Sequence, residues 1–97
     1  MRFQCTHCDQ IVSVGNSDLG AVVTCGHCNA QEQVPSQRFS PRVVINDYVI
    51  IEKIGIGRLA SVYLAHQMTL DRKVALKILS QELADDSDFI IDFFKEI

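Results

Sequence analysis

Hydrophobic positions along this chain change their spacing more than once. Up to about Val34 they come as short β-like runs, Ile11 to Val14 and Ala21 to Thr24, separated by Gly15, Asn16, Ser17, Asp18 and Gly20. Short runs bounded by turn formers predict strands and tight turns, with no helix. The next stretch, Pro35-Ser36-Gln37-Arg38-Phe39-Ser40-Pro41-Arg42, holds both prolines and two serines. These disfavour regular structure and suit a linker between domains.

From Tyr48 the apolar runs lengthen: Tyr48 to Ile54, Ser61 to His66 and Lys73 to Leu79, with turns at Gly55 to Gly57 and Thr69 to Arg72. Their β-branched and aromatic content predicts a three-stranded antiparallel meander. Past Ser80 the spacing changes again. Ile90, Phe93, Phe94 and Ile97 fall at i, i+3, i+4 and i+7, which places them on one face of a helix. Ser87 or Asp88 suits its N-terminal cap, and Asp88 and Asp92 lie near the positive end of its dipole. The expected organisation is therefore 1–34, a linker over 35–47, and 48–97. The sequence stops within or just after that helix without a glycine or proline stop signal, the pattern of a longer domain cut short.

Composition fits a globular chain: 97 residues, 47% hydrophobic and 22% charged. The net charge of −3 is unevenly spread, with −2 over 1–34, +1 over 35–47, +3 over 48–80 and −5 over 81–97. Only the third block is suited to an anionic ligand. Met1-Arg2-Phe3-Gln4-Cys5 opens no apolar run that could act as a signal peptide, and nowhere do 18 uncharged apolar residues follow one another. The expectation is a soluble, cytoplasmic protein.

All four cysteines lie in the first block. Cys5-Thr6-His7-Cys8 and Cys25-Gly26-His27-Cys28 form two C-x-x-C pairs with 16 residues between them, the spacing of a zinc site. Each pair curls two thiolates onto one side of a tight turn, and the intervening hairpin brings the turns together around a tetrahedral ion. Four protein ligands leave no open position, so the zinc is expected to be structural. Asp9 and Asn29 tolerate the left-handed backbone that such turns require. Disulfides do not suit a chain without a secretion signal, and a redox dithiol is usually a single pair beside a βαβ pattern. His7 and His27, each preceding a ligand, are read as solvent-facing. A block of 34 residues is below the roughly 40 at which a domain folds without a metal or disulfide. Its acidic charge argues against binding to a phosphate backbone, so a protein-contact or structural role is preferred and nucleic acid is not expected as a partner.

Ile54-Gly55-Ile56-Gly57-Arg58-Leu59-Ala60-Ser61-Val62 contains G-x-G-x-x-A. A dinucleotide fingerprint leads from strand into helix, whereas this loop leads from strand into strand, and the Gly-Lys-Ser/Thr of a phosphate loop is absent. A glycine loop joining antiparallel strands is a flap whose backbone amides can close over phosphates. Val74-Ala75-Leu76-Lys77 follows, its lysine twenty residues beyond Gly57. Alternation puts Ala75 and Lys77 on one face, where a small residue leaves room for a flat ring and the lysine reaches the phosphates.

With these motifs in place, residues 48–97 resemble the start of a Ser/Thr protein kinase domain of the eukaryotic-like type found in bacteria. G-x-G-x-x-A-S-V at 55–62, V-A-L-K at 74–77 and the helix ending Phe93-Phe94-Lys95-Glu96 carry the resemblance. It implies that Ile54, Val62 and Ala75 line an adenine pocket, that residues 54–62 with Ala75 and Lys77 bind ATP, and that Lys77 pairs with Glu96 of the C-helix. Ala60 stands where the family commonly has a third glycine. His66 is read as a surface residue.

The resemblance also implies ATP and Mg as cofactors and protein substrates as partners of a full-length kinase. The H-R-D-L and D-F-G motifs of that family are absent from these 97 residues, so the fragment itself is expected to be inactive. The fold expected is a small β zinc ribbon plus an α+β partial kinase N-lobe, a three-stranded meander followed by a C-helix. By the same analogy the strand at 73–79 lacks a neighbour, which predicts self-association through its open edge and the apolar helix face. Two other functions fit the sequence: a zinc-ribbon adaptor with a non-catalytic kinase-like platform, and a nucleic-acid-binding ribbon, against which the acidic charge weighs.

Overall fold

The computed structural model describes residues 1–37, 39–56, 60–79 and 91–96. The chain divides into two compact units, Met1–Ile50 and Ile51–Ile97, described in turn.

In the first unit, β1 (Arg2–Gln4) and β2 (Ile11–Ser13) form an antiparallel hairpin with Phe3 opposite Val12. A second hairpin joins β3 (Val22–Thr24) to β4 (Gln31–Gln33), with Val23 opposite Glu32. Between them lies a 3-10 turn at Asn16–Asp18, the first block's one helical feature among the described residues. There the Asp18 carboxylate accepts the Gly15 N–H at 3.1 Å. Phe3, Cys5, Val12, Cys25 and Val34 form a buried cluster, with Met1, Cys8, Val14 and Val23 packed against it. So few apolar side chains make a small core, and two of its five buried members are cysteines.

Residues 43–45, inside the stretch expected as a linker, form β5 (Val43–Ile45). It pairs antiparallel with β1, Phe3 opposite Val43, and with the opening of β6 (Tyr48–Ile56), Val44 opposite Val49. Val43, Val44, Val49 and Ile50 are buried, which explains why an apolar triplet after a proline-rich stretch folds back as a strand.

In the second unit the remainder of β6 neighbours β7 (Ala60–Gln67), which pairs with β8 (Arg72–Leu79) from Ala60 opposite Leu79 to Gln67 opposite Arg72. The three-stranded meander is as the sequence predicts. Tyr63, Ala65, Val74, Leu76 and Ile78 are buried and share one face through the register Tyr63 opposite Leu76 and Ala65 opposite Val74. At the β7–β8 turn His66 Nε2 lies 2.8 Å from Asp71 Oδ1, and Asp71 has a left-handed φ of 46°.

The helix expected beyond Ser80 requires correction. Residues 80–90 and Ile97 lie outside the described residues, but Ile91–Glu96 form strand β9, antiparallel to β8. The edge of β8, expected to be open, is therefore taken by this chain's own β9. Two forces oppose the helical periodicity: a strand edge presents unpaired N–H and C=O groups, and an isolated helix of fewer than about 12 residues is marginal in water. The β-branched and aromatic residues of 91–94 also suit a strand. The register shifts between Ala75 and Leu76, which face Lys95 and Phe93, so Phe94 is the extra residue of a bulge. Among the described residues no helix is long and apolar enough to cross a membrane.

Candidate functional site

The two C-x-x-C segments fold into matching turns. Cys5 N–H donates to Gln10 O at 2.9 Å and Asp9 N–H to Cys5 O at 3.1 Å; in the second turn Cys25 N–H donates to Ala30 O at 2.8 Å and Asn29 N–H to Cys25 O at 2.9 Å. Asp9 and Asn29 have φ of 62° and 63°, the left-handed conformation their short polar side chains tolerate. The amides of His7 and His27 point at Cys5 Sγ and Cys25 Sγ, each at 3.4 Å. Both knuckles thus aim backbone dipoles at a sulfur before any metal is considered.

The turns face each other. Cys5 Sγ lies 3.7 Å from Cys28 Sγ, and Cys8 Sγ lies 3.7 Å from Cys25 Sγ; all four sulfurs fall within 4.8 Å of one another. A tetrahedral zinc at about 2.3 Å from each sulfur requires S···S separations of about 3.8 Å. A disulfide would need a sulfur pair at about 2.05 Å, and the four cysteines are free. The donor set, count and spacing therefore fit a zinc-like ion in a closed, structural site. Burial pushes the Cys5 thiol up to about 12, whereas hydrogen bonds from the backbone of Cys28 and His27 hold Cys25 down at about 6. A metal held by all four sulfurs would replace their protons together.

Three residues around the knuckles give little sign of themselves in the sequence. Glu32 is buried at 5% exposure in a strand flanked by two glutamines. Its carboxylate accepts the Thr6 N–H and, at 2.9 Å on each oxygen, the Thr6 hydroxyl. The Thr6 N–H first, and then its hydroxyl, hold Glu32 below the usual carboxylate range. Arg42 Nη1 stands 3.6 Å from Glu32 Oε1, and His7 Nδ1 stands 3.4 Å from Oε2. Arg42 also donates to Gln4 O at 3.4 Å and to Gln33 O at 3.1 Å, tying the two hairpins together. The only available signal was negative: a charged residue between two polar ones offers no apolar partner for its inward position.

For the nucleotide site, Gly57, Arg58 and Leu59 lie outside the described residues. Val62 stands opposite Lys77 and Leu64 opposite Ala75, so Val62, Ala75 and Lys77 share one face of the β7–β8 pair. Ala75 is buried, Val62 and Ser61 are half-buried, Ala60 is buried and Lys77 is exposed. A Cβ at Gly55 would stand 3.5 Å from Val62 Cβ, which places the loop's first glycine against that face. Ile54 and Ile56 are exposed, at 46% and 81%. Along β9 the register sets Asp92 opposite Lys77 and Glu96 opposite Val74. The backbone therefore does not bring Glu96 across from Lys77.

Comparison with known proteins turns up kinases. The chain is 49% identical over 49 residues, half of its length, to the serine/threonine-protein kinase PrkC of Bacillus subtilis. It is 43% identical over 54 residues, 56% of its length, to a probable serine/threonine-protein kinase of Clostridium acetobutylicum. The chain spans 8% of the length of each of these relatives. No protein-family model and no solved structure matches it.

Proposed function

We propose that this chain is the N-terminal part of a Ser/Thr protein kinase that transfers the γ-phosphate of ATP to protein substrates, and that a zinc ribbon precedes its ATP-binding strands. The observation that carries the reading is the placement of Val62, Ala75 and Lys77 on one face with Gly55 set against Val62, in a chain close to half of which is alike to two bacterial kinases. On that face the adenine would lie against Val62 and Ala75; the kinase resemblance adds Ile54, one position before Gly55. The amides of residues 55–61 would close over the phosphates, and the Lys77 ammonium would neutralise them. A full-length kinase would use ATP and Mg; the H-R-D-L and D-F-G motifs that supply a catalytic aspartate and metal ligands are not among these 97 residues, so the chain alone would be inactive.

Residues 1–34 act as a structural or regulatory ribbon whose zinc is held by Cys5, Cys8, Cys25 and Cys28 and supplies folding energy to a segment too small to provide its own. Phosphate transfer from radiolabelled ATP by a longer polypeptide carrying this segment tests the kinase reading. We expect Lys77→Met to lower transfer by more than about a hundredfold, since it removes charge compensation at the transferring phosphates. A Lys77→Met protein as active as the native one contradicts the reading.

A further inference from the structure

We propose that Glu32 and Arg42 are positioning residues of the metal site, a buried carboxylate and its half-buried cation that together carry metal occupancy from the first knuckle to β5 and the opening of β6. The inference rests on the tetrathiolate reading of the four cysteines.

Four thiolates around a divalent ion leave two net negative charges. Glu32 adds another beside them: Cys5, His7 and Glu32 bring their ligand atoms within 4.8 Å of one another. A buried carboxylate next to an anionic cluster persists only when it is hydrogen-bonded and paired. Thr6, between two metal ligands in sequence, supplies the hydrogen bonds. Arg42 supplies the fixed positive charge, 3.6 Å from Oε1.

Arg42 is held from every side. Its guanidinium lies 5.5 Å from the Phe3 ring centroid and donates to carbonyls of both hairpins. Its main-chain carbonyl accepts the Gln4 N–H, and its own N–H donates to Ile50 O, each at 2.8 Å. Its φ is 76°, a left-handed conformation that a long side chain adopts only where the surroundings over-determine it. One residue thus grips the metal knuckle through its side chain and strands β1 and β6 through its backbone, and β5 begins at the next position. Loss of the metal frees the first knuckle, Thr6 releases Glu32, and the reason for Arg42 to hold its strained backbone goes with it. The strand loosened at its start, β6, is the one that leads to Gly55.

The full chain with and without zinc provides the test, read by zinc affinity in competition with a chelator and by amide exchange at Arg42, Val44 and Val49. Arg42→Gln takes the fixed cation from Glu32 beside the thiolates, leaving it Thr6 and the His7 ring at 3.4 Å, and is expected to weaken zinc binding about tenfold or more; Glu32→Gln with Arg42→Gln removes both charges and is expected to restore affinity to within about threefold of native. A role confined to packing predicts no such rescue. In the native chain zinc removal is expected to speed exchange at all three amides. Native-like zinc affinity in Arg42→Gln, or no rescue in the double variant, or exchange indifferent to zinc, overturns the relay alone. If Arg42→Gln is too unstable to assay, the double variant decides: near-native affinity supports the relay and a tenfold loss overturns it. A native chain that takes up no zinc overturns the tetrathiolate reading and the relay with it.

Discussion

Val62 stands directly opposite Lys77 across the β7–β8 ladder, so the branched side chain expected under an adenine ring and the cation expected at the phosphates are cross-strand neighbours. Gly55 faces the same valine with room for a methyl group at ordinary contact distance, 3.5 Å. Gly55→Ala is therefore expected to change unfolding free energy by no more than about 0.5 kcal/mol. Any larger effect should appear in nucleotide binding, through the backbone approach that a Cβ obstructs. Thermal unfolding and ATP titration of the same variant in the longer kinase separate the two.

Leu76 and Lys77 are adjacent and face opposite ways, one fully buried and one exposed. Leu76→Ala should cost about 2–5 kcal/mol by deleting core contacts and leaving a cavity. Lys77→Ala should stay within about 0.5 kcal/mol. Urea unfolding of the two variants tests whether the β8 faces are assigned correctly.

Thr6 provides the Glu32 carboxylate with both an N–H and a hydroxyl. Thr6→Ala removes the hydroxyl, a hydrogen bond to a charged group worth about 1.5–3 kcal/mol. Because Glu32 is held below its ordinary range in the folded chain, its contribution is complete above the unfolded carboxylate value of about 4.3 and fades as pH falls through the folded one. Thr6→Ala raises that folded value. Its acid-unfolding midpoint should accordingly move to higher pH than that of the native chain under the same metal loading.

Ending the chain at Leu79 would strip β9 from β8 and restore the open edge that the sequence alone suggested. We expect the shortened chain to associate as concentration rises while the full chain associates less, because an unpaired strand edge is a template for another. Light scattering after gel filtration compares the two. Equal association of both chains would mean that β9 does not protect this edge.

The cysteine knuckles and the meander were legible because local pattern dictates them: C-x-x-C pairs form tight turns, and β7 and β8 carry consecutive apolar runs, Val62 to Ala65 and Val74 to Leu76, bounded by turn residues. Strands β1 and β4 were not legible. In each the one inward side chain, Phe3 in one and Glu32 in the other, sits between two polar residues, so no apolar run marks it as β2 and β3 are marked. Arg42 was hidden for another reason. It sits among prolines and serines that read as linker, and its partners Glu32, Gln4 and Gln33 are brought to it by the fold. The helix expected past Ser80 gives way over 91–96, where periodicity competes with a neighbouring strand edge: Phe93 and Phe94 suit either pattern, and pairing with β8 wins.

Four sulfurs at cross-knuckle distances of 3.7 Å are placed to hold one metal ion, and the proposed ribbon depends on it. Metal content and free thiols of the purified chain, measured together during stepwise chelation, test this most directly. The proposed ribbon should carry one zinc per chain, released as four thiols become reactive together and regained on adding zinc back. Metal-free chain with its cysteines already oxidised in pairs, or metal retained when Cys5 and Cys25 are both replaced by serine, would contradict it.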